Sequence, residues 1–170
     1  MRAVHPADGA ALRNLACPVC GRTPASATLG FTVVRDKTVV GFVALAVPDA
    51  DAVYPPGTML VEQLWVHPDD VGELIGTQLV HRAASALQAR RMRRLVARGT
   101  RRTSDCGHLP GDWLDRVGFV EHVRGVEWRL DLRRTAPVTD ALRAAWGSVA
   151  RGVRTQRPAP ASRMRWRPAP

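Results

Sequence analysis

Two dense apolar runs, Phe31–Val34 and Val39–Val47, flank the polar tetrad Arg35-Asp36-Lys37-Thr38. Short β-branched runs on either side of a polar turn predict a hairpin, although the turn has no Asn-Gly or Asp-Gly pair. A connector rich in Asp and Pro, residues 48–57, leads to a third strand-like run, Leu60–Val66. His67-Pro68-Asp69-Asp70 then breaks the pattern, and its period changes. Leu74, Ile75, Leu79, Ala83, Ala86 and Leu87 recur at helical spacing and predict one buried helix face. Asp69 and Asp70 are expected to cap that helix, since their carboxylates accept from unpaired backbone N–H groups. A strand feeding a loop and a helix start also forms a corner that favours anions, because the first helical N–H groups point outward at the positive end of the dipole.

The flanking segments carry weaker patterns. Arg2–Val4 predicts a short strand, Pro6-Ala7-Asp8 opens a helix running to about Leu15, and residues 22–30 read as loop. Downstream, Arg94–Ala97 predicts a strand, residues 99–111 a polar loop, and Asp112–Val117 a helix stopped by Gly118. Phe119–Val123 and Val126–Leu132 close the pattern as a hairpin about Arg124-Gly125. Strands alternating with helices, and hairpins at both ends, predict an α/β fold with a mixed central sheet flanked by helices. Beyond Pro137, the residues Val138, Leu142, Ala145, Trp146 and Val149 share helical spacing. Arg151–Pro170 holds six arginines, four prolines and no acid, the composition of a disordered tail. The expected organisation is one domain over residues 1–132, a helical extension over 133–150 and a basic tail over 151–170. At 170 residues the chain is long enough for one hydrophobic core.

Charge changes the picture only in part. The net charge is +10, with 6 basic and 8 acidic residues before position 90, and 19 basic and 7 acidic from there on. A basic half attracts phosphates, whether of a coenzyme or, weakly and without sequence preference, of a nucleic acid held by the tail. No recognition-helix or RNA-binding aromatic motif accompanies it. No apolar run reaches the length of a membrane span, and the N-terminus lacks a signal-like apolar core. Three cysteines do not make a disulfide framework, so a cytoplasmic location is expected. Cys17-Pro18-Val19-Cys20-Gly21 has the form of half a zinc knuckle, and Cys106 with His108 would complete a Cys₃His set if the chain brought them together. The closeness of that second pair makes two reduced, partly buried cysteines the simpler expectation, and no metal ligand is assigned.

The central segment also carries a resemblance. Trp65-Val66-His67-Pro68-Asp69-Asp70, then Gly72, Ile75-Gly76-Thr77 and Leu79, resemble the acyl-coenzyme A signature of the GCN5-related N-acetyltransferases (GNAT family). Trp113–Phe119 resembles the segment leaving that family's last helix, and the resemblance spans residues 28–132. It implies an acyl-CoA N-acyltransferase-like fold and direct transfer of an acetyl group from acetyl-CoA to a primary amine. It also implies residue roles. Leu64, Trp65 and Val66 would offer a strand edge to the pantetheine arm, while Val71, Gly72, Glu73, Leu74, Ile75, Gly76 and Thr77 would hold the diphosphate. Glu62 would deprotonate the acceptor amine, directly or through water.

Val71, Leu74 and Leu114 depart from the family pattern, and Glu73 bears on the same loop through its charge. Val71 stands where Arg or Gln is usual, and Leu74 where Gly is usual. Glu73 adds a negative charge beside a negative ligand, for which Arg82 is a candidate counter-charge. Leu114 replaces a tyrosine that would protonate the leaving thiolate. A catalytically inactive binding or assembly module is therefore the alternative reading. His108, oriented by Asp105 or Asp112, is a second candidate base, and Tyr54 is expected to pack in its loop. Strand alternation places Leu60, Glu62, Leu64 and Val66 on one face and Val61, Gln63 and Trp65 on the other. A glutamate in that setting needs a partner or a water path. The acceptor, small molecule or protein, is not specified. The short region before Phe31 is compatible with an open groove or with one completed by a second subunit, as in a homodimer.

Overall fold

The computed structural model describes residues 3–102 and 107–133. The expected helix over 138–149, the basic tail, Asp105 and Cys106 lie outside these residues. Eight strands form one sheet in the order β1-β2-β3-β4-β5-β8-β7, with the two-residue β6 beside β5. The strands are β1 Ala3–Asp8, β2 Leu29–Arg35, β3 Thr38–Ala46, β4 Thr58–Val66, β5 Arg94–Thr100, β6 Leu109–Pro110, β7 Val120–Val123 and β8 Glu127–Asp131. The helices are α1 Gly9–Arg13, α2 Ile75–Ala89 and α3 Gly111–Val117. β1 to β4 run antiparallel, whereas β4 and β5 are parallel. A parallel pair needs a crossover, and α2 supplies it.

The hairpin expected at Arg35–Thr38 forms with Asp36 and Lys37 both at positive φ, 49° and 69°. Two successive left-handed residues are the geometry of a type I′ turn, whose twist matches the flanking strands, so ordinary side chains carry it here at some strain. The first strand is longer than expected. Residues through Asp8 pair with β2, and the helix begins only at Gly9. Pro6 is tolerated there because β1 is an edge strand, and Asp8 accepts from the Ala11 N–H at 2.7 Å as the helix cap.

α2 packs on one face of the sheet through Ile75, Leu79, Val80, Ala83, Ala84 and Leu87. These meet Val43, Leu45, Met59, Val61, Leu95 and Ala97 in the main core. Two expected members do not join fully: Leu74 is 66% exposed and Ala86 is half-buried. The reason is the helix start. Leu74 precedes the first turn and adopts a left-handed conformation at φ 59°, while Val80 and Ala84 fill the face that follows. A smaller core on the opposite face joins Leu12, Ala27, Phe42 and Ala44, covered by Trp65.

At the far end, Trp128 is fully buried between Gly99 and Gly111, either of which would drive a Cβ to within 2.6 Å of the ring. Its indole N–H donates to Asp115 at 2.8 Å, and Arg101 lies 5.1 Å from the ring centroid while bridging Asp112, Asp115 and Glu121. The bonds from Trp128 and Arg101 hold the Asp115 carboxyl below its usual range. This cluster fastens α3 to the sheet.

Leu79 sits at the centre of the main core, so Leu79→Ala leaves a cavity. We expect a loss of about 2–5 kcal/mol, seen as a lower urea midpoint with the slope of the transition preserved.

Candidate active site

β4 and β5 pair only from Thr58–Val61 to Arg94–Ala97. Beyond that point β4 continues with β3 to Val66, while β5 turns to β8. The two central strands therefore diverge, leaving the β5-facing edge of residues 62–66 without a ladder. A bulge sits at the same place: Ala44 opposes Gln63, yet Leu45 opposes Val61, so Glu62 is the extra residue. It corrects the expected alternation. Leu64 and Val66 share the α2 face with Met59 and Val61, and Trp65 lies across the sheet with Phe42. Glu62 is on the opposite face from Leu64, not beside it; its Oε1 accepts from the Ser26 N–H at 2.9 Å.

On the α2 side the divergence opens into a groove of about 860 Å³. Leu64, Trp65 and Val66 form one wall, and Leu109, Trp113 and Arg116 the other. The loop at its end differs from expectation. Asp69 and Asp70 do not cap α2. They lie in a separate 3-10 turn, Pro68–Asp70, closed by the Asp69 N–H bonding to His67 Nδ1 at 3.3 Å. Asp70 is buried and paired with Arg35, which also reaches Glu73 at 3.4 Å. Pro68 forces the chain into the short turn, and Gly72 at φ 95° and Leu74 at φ 59° carry it to the helix.

α2 then starts with no side-chain cap, and its first residues, Ile75, Gly76 and Thr77, line the groove with Val71, Gly72 and Leu74. Their N–H groups precede the first intrahelical bond, so this end of the groove favours an anion. A Cβ on Gly76 would meet the Trp113 ring at 3.2 Å, which keeps this position free of a side chain. Leu74 stands exposed at the rim and does not close the loop. Of the expected loop residues only Glu73 is not on the groove surface; Arg35, expected only as a residue of the hairpin turn, pairs with it. Arg82 does not line the groove, and Arg116 does.

On the other face a second, smaller cleft of about 260 Å³ adjoins the divergence. Glu62 bounds it with Arg22, Asp49, Tyr54, Arg98 and His108. The second oxygen of Glu62, Oε2, is buried with no protein hydrogen-bond partner. His108 lines the same cleft as Glu62. Its expected partner Asp112 instead bonds Arg101. Tyr54 packs as expected, donating to Glu127 Oε2 at 2.6 Å, but also lines the cleft. Leu114 is fully buried, so this position presents no side chain to either cavity. Among the described residues no group of three or more His, Cys, Asp and Glu is placed to hold a metal. Cys17 is buried and Cys20 exposed on a turn in which the Cys17 N–H bonds the Arg22 carbonyl at 2.8 Å. No helix among the described residues is long and apolar enough to cross a membrane.

Tyr54 is the only tyrosine in the chain. Its bond to Glu127, then burial, then the Glu127 charge, raise its pKa above the ordinary 10.0. The stability this contributes is full below pH 10.0 and is lost as pH rises through the raised native value. Ultraviolet titration of the phenolate should give a native midpoint above that of the denatured chain, and Glu127→Gln should move it down.

The sequence profile of the acetyltransferase (GNAT) family matches residues 9–105. Among curated proteins none matches the chain significantly. Solved structures with the same fold include the ribosomal-protein-S18-alanine N-acetyltransferase from Escherichia coli, at 17% identity and a TM-score of 0.56 over 78% of this chain and 94% of that one. An IAA acetyltransferase from Bacillus cereus ATCC 14579 is 16% identical, with a TM-score of 0.56 over 77% and 99% of the two chains. A GNAT family N-acetyltransferase from Escherichia coli, solved in complex with CoA, is 19% identical, with a TM-score of 0.50 over 62% and 59%. The profile covers more than half of the chain and the sheet is that of the solved relatives, so this protein belongs to the GNAT family of acetyltransferases.

Proposed function

We propose that this chain is an N-acetyltransferase that moves an acetyl group from acetyl-CoA directly to a primary amine. The observation that carries this reading is the divergence of β4 from β5, which puts an open groove and a carboxylate-bearing cleft on either side of one strand. The pantetheine arm runs along Leu64, Trp65 and Val66, where main-chain groups have no ladder partner. The diphosphate lies at Val71, Gly72, Leu74, Ile75, Gly76 and Thr77, held by N–H groups at the start of α2. Glu73 is turned to Arg35, which offsets its charge. Arg116 supplies the cation that Val71 lacks, in place of Arg82.

Glu62 acts as the base. Its buried Oε2 takes a proton from the acceptor ammonium, since only the neutral amine attacks a thioester carbonyl. The amine nitrogen forms the new C–N bond and gives up its second proton to solvent, the C–S bond breaks, and the thiolate leaves to be protonated by solvent. No phenol is available at Leu114 for that last step. The CoA complex of the related Escherichia coli structure supports the choice of donor.

Isothermal titration calorimetry of acetyl-CoA is the first test. Saturable binding near one site per chain, followed by turnover with an amine panel, is the expected result. Saturable binding with no turnover on any amine would favour the inactive module, and no binding by folded protein would overturn the proposal. Within it, Glu62→Gln should lower kcat by about 10²-fold or more while leaving the affinity for acetyl-CoA within about threefold.

A further inference from the structure

Resting on the acetyl-transfer reading, we infer that the acceptor is a small zwitterion: a primary amine a few bonds from a carboxylate or phosphate. The cleft on the Glu62 face is small. Its volume of about 260 Å³ falls below the roughly 300–1,000 Å³ of pockets for drug-sized ligands. Its charge is mixed, since Glu62, Asp49, Arg22 and Arg98 all line it.

The arginines are available to a ligand. Arg98 lies opposite Glu127 in the β5–β8 register, which would ordinarily pair the two. Glu127 is already engaged: Oε2 accepts from Tyr54 at 2.6 Å and Oε1 from Arg129 at 2.8 Å. Neither Arg98 nor Arg22 has an ion-pair partner among the described residues. Glu62 is held through Oε1 by the Ser26 N–H, which leaves the buried Oε2 toward an incoming ammonium. An ammonium therefore meets a carboxylate, and an anion on the same molecule meets guanidinium groups suited to carboxylate or phosphate. A polyamine would bring further cations against Arg22 and Arg98. A lysine side chain or a peptide N-terminus would leave both arginines without a partner.

The test follows thiol release from acetyl-CoA by the full-length chain. Glycine, β-alanine and O-phosphoethanolamine are compared with glycinamide, β-alaninamide and ethanolamine, and with spermidine and an alanine-terminated peptide. At least one anionic amine should exceed its neutral counterpart in kcat/KM by about tenfold, the worth of one charge-assisted hydrogen bond. The amino acids and the phosphoamine separate the carboxylate and phosphate sources. Arg98→Ala, and independently Arg98→Gln, should shrink that ratio to about threefold or less, mainly through KM, whereas Arg124→Ala in the β7–β8 turn should not. Equal or better turnover of neutral amines, spermidine or the peptide would overturn the inference while sparing the acetyltransferase reading. A preference that survives both Arg98 variants and Arg22→Ala would overturn it too. Failure of acetyl-CoA to bind would remove the reading beneath it, and the inference with it.

Discussion

The parting of β4 from β5 is the constraint on which the rest of the molecule depends. Strands pair along their whole length unless something stops them, because an unpaired backbone edge is costly in a protein interior. Here the ladder ends where Glu62 interrupts the register of β4 on its other side. The bulge bends the strand, and the neighbours on each flank secure the two arms separately: β3 holds β4, and β8 holds β5. A main chain left open in this way can be matched by an extended ligand, which then completes the hydrogen bonding that the sheet lacks.

The loop after β4 shows how a departure from a family pattern can be accommodated by geometry. Glu73 adds an acid near a groove built to favour anions, and Asp70 adds another in a buried position. Arg35, at the end of β2, reaches both. A buried carboxylate without such a partner would cost several kcal/mol. The same guanidinium thus holds the turn in shape and limits the negative field at the groove mouth. The left-handed backbone at Leu74 has a similar logic. It carries a strain that glycine would not, yet it turns the side chain outward and leaves the helix start open.

Much of this was legible in the sequence. The apolar runs located β3, β4 and the body of α2, and Pro68 with the two aspartates marked the place where strand gives way to helix. What escaped was governed by contacts distant along the chain or by a single residue of register. No periodic pattern reveals that Glu62 is an insertion, so its expected companions Leu64 and Val66 were assigned to the wrong face. Asp69 and Asp70 have the composition of helix caps, but Asp70 answers to Arg35, 35 residues earlier. Local propensity cannot see that pairing. Arg116 and Arg98 are two among many arginines in a basic half, and only the tertiary fold separates those lining a cavity from the solvated remainder. The tyrosine expected near the last helix is absent, and Tyr54 reaches the opposite cleft from a connector that looks featureless in the sequence.

The bulge at Glu62 also separates the bend of this strand from the facing of its side chains. Parity alone decides which side chains meet α2 and which meet Phe42. Val61 and Gln63 already oppose the consecutive residues Leu45 and Ala44, so excising Glu62 would leave Gln63, Leu64, Trp65 and Val66 on their present faces and remove only the bend and the carboxylate. The two cores are therefore indifferent to the one residue that shapes the cleft: a chain lacking it would keep its apolar contacts and lose the parting of the strands, so folding and function are separable at this position.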